Sequence, residues 1–157
     1  MKVSVRLAAC CLMAAFGVMS ASTQVLAVNA IATGNWSGAG TWNPAEPVAG
    51  DSTTIDGGFT VSIDQAGEAS GTLDIGTISG QTGNLSIAAP GNLQVSGGTL
   101  PTIRVGQAAG ATGNLTMTGG TVFIAGGANT PPGIGELFVG DNGTGTMNMS
   151  GGDFQAS

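Results

Sequence analysis

Histidine and tyrosine are absent from this chain of 157 residues, and its only two cysteines are adjacent, at Cys10 and Cys11. These absences exclude a zinc finger, a haem protein, a disulfide-stapled miniprotein and any histidine-dependent catalytic triad. Charge is also scarce, since 8% of the residues are charged and three bases stand against nine acids, for a net charge of −6. So few bases cannot neutralise phosphate groups, which argues against nucleic acid as a partner.

Residues 1–27 have the three parts of a secretory signal peptide. Lys2 and Arg6 supply the positive start, residues 7–19 form an apolar run, and Val25-Leu26-Ala27 fits a cleavage site. The apolar run is shorter than the about 20 residues that a membrane span needs. We therefore expect residues 1–27 to be removed when the protein is exported.

Two other ways of processing the N-terminus remain open. Cleavage after Ala30 is the second choice, and Leu7-Ala8-Ala9-Cys10 matches a lipoprotein signal in its letters. The apolar run continues past Cys10, which argues against lipidation. Removal of residues 1–27 leaves Arg104 as the one base against nine acids, a net charge of −8, and leaves no cysteine.

Two short patterns recur in the glycine-rich remainder of the chain. The first pattern is apolar-x-apolar-(Ser/Thr)-Gly-Gly-(Thr/Asp)-apolar, and it occurs at 93–100, 115–122 and 147–154. The second is apolar-x-apolar-Gly, and it occurs at 73–76, 103–106 and 137–140. The second interval between these occurrences is slightly longer than the first, and it contains 129–133, which we interpret as a loop insertion.

The spacing of apolar residues predicts an all-β protein. Within each repeat the apolar period is two, as in a strand, and Gly or Gly-Asn sequences suit the corners between short strands. A repeat of about 30 residues favours a β-solenoid, that is, a parallel β-helix with three short strands in each coil. One coil would contain strands at 103–105, 115–117 and 122–124. An antiparallel sandwich of the same strands explains the alternation but not the correspondence between repeats.

Stacking of the coils would place equivalent residues above one another in columns. The predicted inward columns are Ile75–Val105–Val139 and Ile87–Met117–Met149, and the predicted outward columns are Ser86–Thr116–Asn148 and Ala88–Thr118–Ser150. We expect the solenoid to occupy 51–157 and an N-terminal cap segment to occupy 28–50. Trp36 and Trp42 would cover the first coil, although a platform on which sugars stack is an alternative.

The cap segment and the start of the repeats carry a resemblance to a known family. The residues are Asn35-Trp36-Ser37, Thr41-Trp42-Asn43-Pro44, Pro47-x-x-Gly50-Asp51 and 54–61. They resemble the opening of secreted bacterial β-helical surface proteins with autotransporter-associated strand repeats, and of related exported proteins with a PEP-CTERM-like sorting signal. The resemblance covers most of 35–157. It implies a passenger or matrix protein, located outside the cell or on the outer surface of a bacterium.

The chain departs from that family at its C-terminus. Residues 154–157 stop partway through a predicted coil, with no β-barrel translocator and no sorting helix after them. We expect the sequence to be the N-terminal part of a longer protein. The alternative is an open last coil that stacks on another copy of the chain.

Carboxylates are the residues that catalysis would need. Glycoside hydrolysis uses two of them about 5–10 Å apart, and stacked coils could bring such pairs together at many places. Arg104 aligns with Asp74, which predicts an exposed ion pair worth about 0–1 kcal/mol. The segment 141–145 suggests either a calcium loop or a plain turn. The candidate carboxylates are Asp56, Asp64, Glu68, Asp74, Asp141 and Asp153.

No constellation in the sequence is specific enough to assign a catalytic, cofactor-binding or metal-ligating residue, and we expect no cofactor. The sequence predicts an exported structural or adhesive module of the cell surface or extracellular matrix, without catalytic activity. Its expected partners are extracellular polysaccharide, other surface proteins or another copy of the chain through the C-terminal coil. A carbohydrate-active or carbohydrate-binding β-helix protein is the alternative.

Overall fold

The computed structural model describes residues 25–97, 100–126 and 134–157. The predicted signal peptide up to Gln24, with its possible lipobox, and the whole of the predicted loop insertion at 129–133 lie outside the described residues. The described residues form strands and turns and contain no helix, so no helix in this part of the chain could cross a membrane. The protein is all-β, as the apolar alternation predicts.

Thirteen strands make up the fold, and most of them are short. They are β1 Ala27–Ala30, β2 Gly34–Asn35, β3 Trp42–Asn43, β4 Ser52–Ile55, β5 Thr60–Ile63, β6 Glu68–Ser70, β7 Thr72–Ile75, β8 Thr82–Ile87, β9 Asn92–Val95, β10 Thr102–Val105, β11 Thr112–Ile124, β12 Glu136–Val139 and β13 Thr144–Ala156. Buried residues alternate with partly exposed ones along most of them, because successive side chains of a strand point to opposite faces.

The strands form two sheets, and the chain passes repeatedly from one sheet to the other. The first sheet has the order β12-β10-β7-β4-β1-β3, and the second has the order β2-β5-β8-β11-β9-β6 with β13 beside β11. All neighbours are parallel except β3, which runs antiparallel to β1. The first sheet is therefore mixed, which the repeat pattern did not predict.

The predicted register between repeats is confirmed for three of the four columns. Val105 pairs with Ile75 and Val139, while Met117 pairs with Ile87 and Met149. Thr116 likewise pairs with Ser86 and Asn148, as the first outward column requires. Each of these residues therefore lies beside the equivalent position of the neighbouring repeat.

The fourth column is wrong, and so is the division of one strand into two. Thr118 pairs with Gly151 instead of Ser150, because the register between β11 and β13 shifts on both sides of Thr118. The expected strands 115–117 and 122–124 are parts of the single strand β11, whose irregular middle contains Gly119 and Gly120. Alternation alone could not reveal the shift, since a bulge adds residues without breaking the ladder on either side.

The core lies between the two sheets and consists of aliphatic side chains on their inner faces. Ile75, Val105, Ile87 and Met117 are completely buried. In the last strands the equivalent residues are exposed, Val139 by 44% and Met149 by 46%. No described strand pairs with the far side of β12 or of β13, so no described layer covers these side chains.

A glycine at the end of each repeated strand of the first sheet turns the chain towards the second sheet. Gly106 has a φ of +74°, and a Cβ atom there would collide with the carbonyl oxygen of Thr144. Gly76 has the same conformation and a similar close contact with Thr112. Only glycine fits such a corner without strain, which explains the Gly of the repeated apolar-x-apolar-Gly pattern.

Candidate functional site

The outer face of the first sheet contains the only ion pair among the described residues. Arg104 on β10 donates from Nε to Asp74 Oδ1 over 2.6 Å and from Nη2 to Asp74 Oδ2 over 3.0 Å. The alignment of these two residues is confirmed by the register of β7 and β10. The pair is less exposed than predicted, since the Asp74 side chain is 10% exposed and the Arg104 side chain 32%. The hydrogen bonds to Asp74 raise the pKa of Arg104, so the guanidinium stays charged.

Asp56 is buried, and its carboxylate accepts hydrogen bonds from the segment that follows β7. Its Oδ1 atom accepts hydrogen bonds from the backbone N–H of Thr77 over 2.8 Å and of Ile78 over 3.3 Å, and Oδ2 accepts one from the Thr77 hydroxyl. A carboxylate that accepts three hydrogen bonds from the next repeat holds two repeats together. Its acceptor sites are largely used by the protein itself.

Asp51 is a buried carboxylate that was not among the sequence candidates. It is 3% exposed, and it accepts hydrogen bonds from the backbone N–H of Leu26 over 3.1 Å and of Val48 over 3.0 Å. The hydrogen bond from Val48 closes a local turn. The Pro47-x-x-Gly50-Asp51 segment of the sequence indicates this turn. Asp51 therefore fastens the start of β1 to the turn that precedes β4.

Glu68 is the most unusual of the candidate carboxylates, because its register places it on the inner face of the second sheet. It pairs with buried Leu93 and is itself 4% exposed. Burial is the largest cause that raises the pKa of Glu68. The neighbouring acids Glu46 and Asp64 raise it further, Glu46 by a hydrogen bond and by repulsion and Asp64 by repulsion. The hydrogen bond that Gln65 Nε2 donates to Glu68 Oε1 over 2.8 Å lowers it. Sequence reasoning assigned Glu68 to neither face, because neither repeated pattern includes this residue.

The three other candidate carboxylates, Asp64, Asp141 and Asp153, are exposed. Asp153 Oδ2 accepts a hydrogen bond from Gln155 Nε2 over 2.6 Å, and Asp64 Oδ2 lies 3.5 Å from Asn35 Nδ2. Glu68, Asp74 and Asp153 lie on strands, whereas Asp56, Asp64 and Asp141 lie in the segments between strands. Among the six candidates, Asp64 and Glu68 are close enough for the charge of Asp64 to raise the pKa of Glu68. In the described part of the chain no three Asp, Glu, His or Cys residues form a group that could hold a metal ion.

Both tryptophans are buried at the N-terminal end of the core. Trp36 is 1% exposed and Trp42 is 4% exposed, and their rings pack edge to face with centroids 4.9 Å apart. Trp42 Nε1 donates to the carbonyl oxygen of Trp36. Their burial agrees with a role in covering the first strands, whereas the alternative of a sugar-stacking platform is wrong, because the ring faces are not accessible.

The sequence contains five Asn-x-Ser/Thr sequons, at Asn35, Asn84, Asn114, Asn142 and Asn148. Two of these asparagines form a ladder of side-chain amides. Asn114 Nδ2 donates to Asn84 Oδ1 over 2.9 Å, and Asn84 Nδ2 donates to the carbonyl oxygen of Phe59 over 3.1 Å. The two asparagines pair in register on β11 and β8. Their amide nitrogens therefore link neighbouring repeats, which is a structural role for these sequons.

A groove of about 450 Å³ crosses the outer face of the first sheet. We call it the outer groove. It crosses β4, β7, β10 and β12, and Val25, Gly50 and Leu100 lie along its border. A second cavity of about 280 Å³ lies near the other end of these strands, beside Asp56 and Phe59. The residues on the strands that line the outer groove are Ser52, Thr72, Thr102, Arg104, Glu136 and Phe138.

Comparisons with protein-family models, with curated proteins and with solved structures found no match.

Proposed function

We propose that this chain is an exported β-solenoid that serves as a structural or adhesive module on the surface of a bacterium or in its extracellular matrix. The observation that supports it best is the parallel register that continues from repeat to repeat in both sheets, with buried aliphatic residues at equivalent positions. Such a stack builds a rigid rod, because each layer is held to the next by backbone hydrogen bonds and by packing.

A non-catalytic role is supported by how three of the four buried carboxylates are used. Asp51 and Asp56 accept hydrogen bonds from the backbone, and Asp74 is joined to Arg104. Each of these groups connects two segments of the fold. Export and surface location are supported by the signal-like residues 1–27 and by the resemblance of 35–61 to bacterial surface proteins.

The solenoid can be tested by changing the number of its repeats. Two extra copies of residues 76–105, inserted after Val105, should lengthen the particle by about 10 Å, two strand spacings of ~4.8 Å, with the same circular dichroism per residue. Small-angle X-ray scattering measures the length. A matched insertion of two Gly/Ser segments of the same length should add no ordered length. A compact or unfolded product from the repeat insertion would contradict the solenoid.

Export is tested separately, by tagging the C-terminus and fractionating bacterial cells that produce the protein. The full chain should reach the medium or the outer surface and lose residues 1–27, while a variant that lacks residues 2–27 should stay in the cytoplasm. Mass spectrometry of the exported protein identifies its first residue. Retention of the full chain inside the cell would contradict export.

A further inference from the structure

The floor of the outer groove is a row of hydroxyl groups in register. Thr72 pairs with Ser52 on one side and with Thr102 on the other, so the backbones that carry these hydroxyls are about one strand spacing, ~4.8 Å, apart. Thr72 Oγ1 donates to Ser52 Oγ over 3.1 Å, and Thr102 Oγ1 donates to the carbonyl oxygen of Leu100 over 2.9 Å. Each hydroxyl can still accept hydrogen bonds, since it has two lone pairs.

The wall of the groove combines a fixed guanidinium with an aromatic ring. Arg104 uses two of its five N–H groups on Asp74, and this bidentate contact holds the guanidinium plane in place. Phe138 pairs with Arg104 in register on the next strand and is 40% exposed on the outer face. The groove therefore presents hydrogen-bonding groups and an apolar surface side by side, as binding sites for small polar ligands do.

The charged groups around the groove favour a neutral ligand over an anionic one. Arg104 is the only base among the described residues, and its charge is offset by Asp74. Glu136 also lines the groove, and Asp141 is close enough to act on Arg104. One positive and three negative groups make this region acidic, so it would repel an anionic polymer. A ligand without net charge meets no such penalty.

We propose that the outer groove binds a segment of a neutral polysaccharide chain. The groove crosses four strands, about 14 Å at ~4.8 Å per strand spacing, which suits an extended polymer better than a compact molecule. Ring hydroxyls of the sugar would bond to the hydroxyl row and to the guanidinium, and the C–H face of a sugar ring would pack on Phe138. This proposal rests on the proposed adhesive function and names the partner that the module would bind. Within the fold it involves only the outer face of the first sheet.

Affinity electrophoresis of the full chain through gels that contain hydroxyethyl cellulose, galactomannan or polygalacturonate tests the proposal. At least one of the two neutral polymers should retard the protein, while acidic polygalacturonate should not. Phe138→Ala should weaken binding to that neutral polymer about tenfold, as truncation of an aromatic anchor does. Arg104→Lys keeps the charge beside Asp74 but loses the planar fork, and it should also weaken binding.

Phe123→Ala is the matched control, because Phe123 lies between buried Val122 and Ile124 on β11 and belongs to the outer face of the second sheet. It should bind as the unchanged protein does. Retardation by neither neutral polymer, retardation by polygalacturonate alone, or equal weakening by Phe123→Ala and Phe138→Ala would overturn the proposal. Thermal melting confirms that each variant is folded, and Phe138→Ala keeps the test valid if Arg104→Lys fails to fold. None of these outcomes changes the particle length that tests the solenoid, so the two proposals fail independently.

Discussion

Arg104 and Asp74, which are 30 residues apart in the chain, form a bidentate ion pair across neighbouring parallel strands, with nitrogen–oxygen distances of 2.6 and 3.0 Å. The carboxylate is the more buried partner, at 10% exposure. In its degree of burial, this ion pair is intermediate between two kinds. Exposed ion pairs contribute little to stability, whereas buried ones are costly to break.

Removal of the arginine should be more damaging than removal of both charges. Arg104→Met leaves a largely buried carboxylate without its partner and should lower the free energy of unfolding by about 2–3 kcal/mol. The double variant with Asp74→Leu should recover at least half of that loss. Urea denaturation measures both. A double variant as unstable as Arg104→Met would show that the unpaired charge is not the cause.

Glu68 should make the protein less stable as the pH rises. Its ordinary pKa of 4.5 is raised in the folded protein, first of all by burial, so the folded state binds more protons than the unfolded state above pH 4.5. Stability is therefore full below pH 4.5 and falls as the pH rises through the folded pKa. Glu68→Gln should melt at a higher temperature than the unchanged protein at pH 7 and at nearly the same temperature at pH 4.

Glu136→Gln is the control for this pH dependence, because Glu136 is exposed. It should leave the difference in melting temperature between pH 4 and pH 7 almost unchanged. An equal effect of the two substitutions would point to the net charge of the protein instead of to the position of Glu68.

The inward and outward columns can be separated by placing the same charge on each. Val105 is completely buried, so Val105→Asp buries an unpaired carboxylate and should abolish folding. Thr116 lies on the outer face of the second sheet, and Thr116→Asp should lower the free energy of unfolding by less than about 1 kcal/mol. Circular dichroism and thermal melting distinguish the two. A Val105→Asp protein with normal melting would contradict the inward assignment.

The two tryptophans should respond differently to the same substitution. Trp42 Nε1 donates a hydrogen bond to the carbonyl oxygen of Trp36, whereas Trp36 Nε1 is buried with no partner among the described residues. Trp42→Phe loses packing and a buried hydrogen bond, while Trp36→Phe loses similar packing but also removes an unsatisfied donor. Trp42→Phe should therefore be the less stable protein by about 1–2 kcal/mol in urea denaturation. Equal losses would contradict this assignment of the two N–H groups.

The apolar alternation in the sequence predicted the strand register correctly wherever every second residue faces the core. The repeated apolar-x-apolar-Gly segments predicted which residues of β7, β10 and β12 pair, because a shift of one residue would turn every buried side chain outward. The same reasoning failed at Thr118, where a bulge changes the register without changing the alternation on either side. It also gave no indication that Glu68 faces the core, because neither repeated pattern includes this residue.

The sequence by itself determined that the chain is β-structured, that the strands of successive repeats align, and that Arg104 meets Asp74, since all three follow from the alternation within strands and the spacing between repeats. Only the tertiary structure decided that β3 runs antiparallel to β1, that Asp51 ties the first strand to the next turn, and that hydroxyls, a guanidinium and a phenylalanine ring border one groove. These relations depend on which faces meet in space. The groove, for example, is lined by residues of four strands that are far apart in the chain, so no local sequence pattern could predict it.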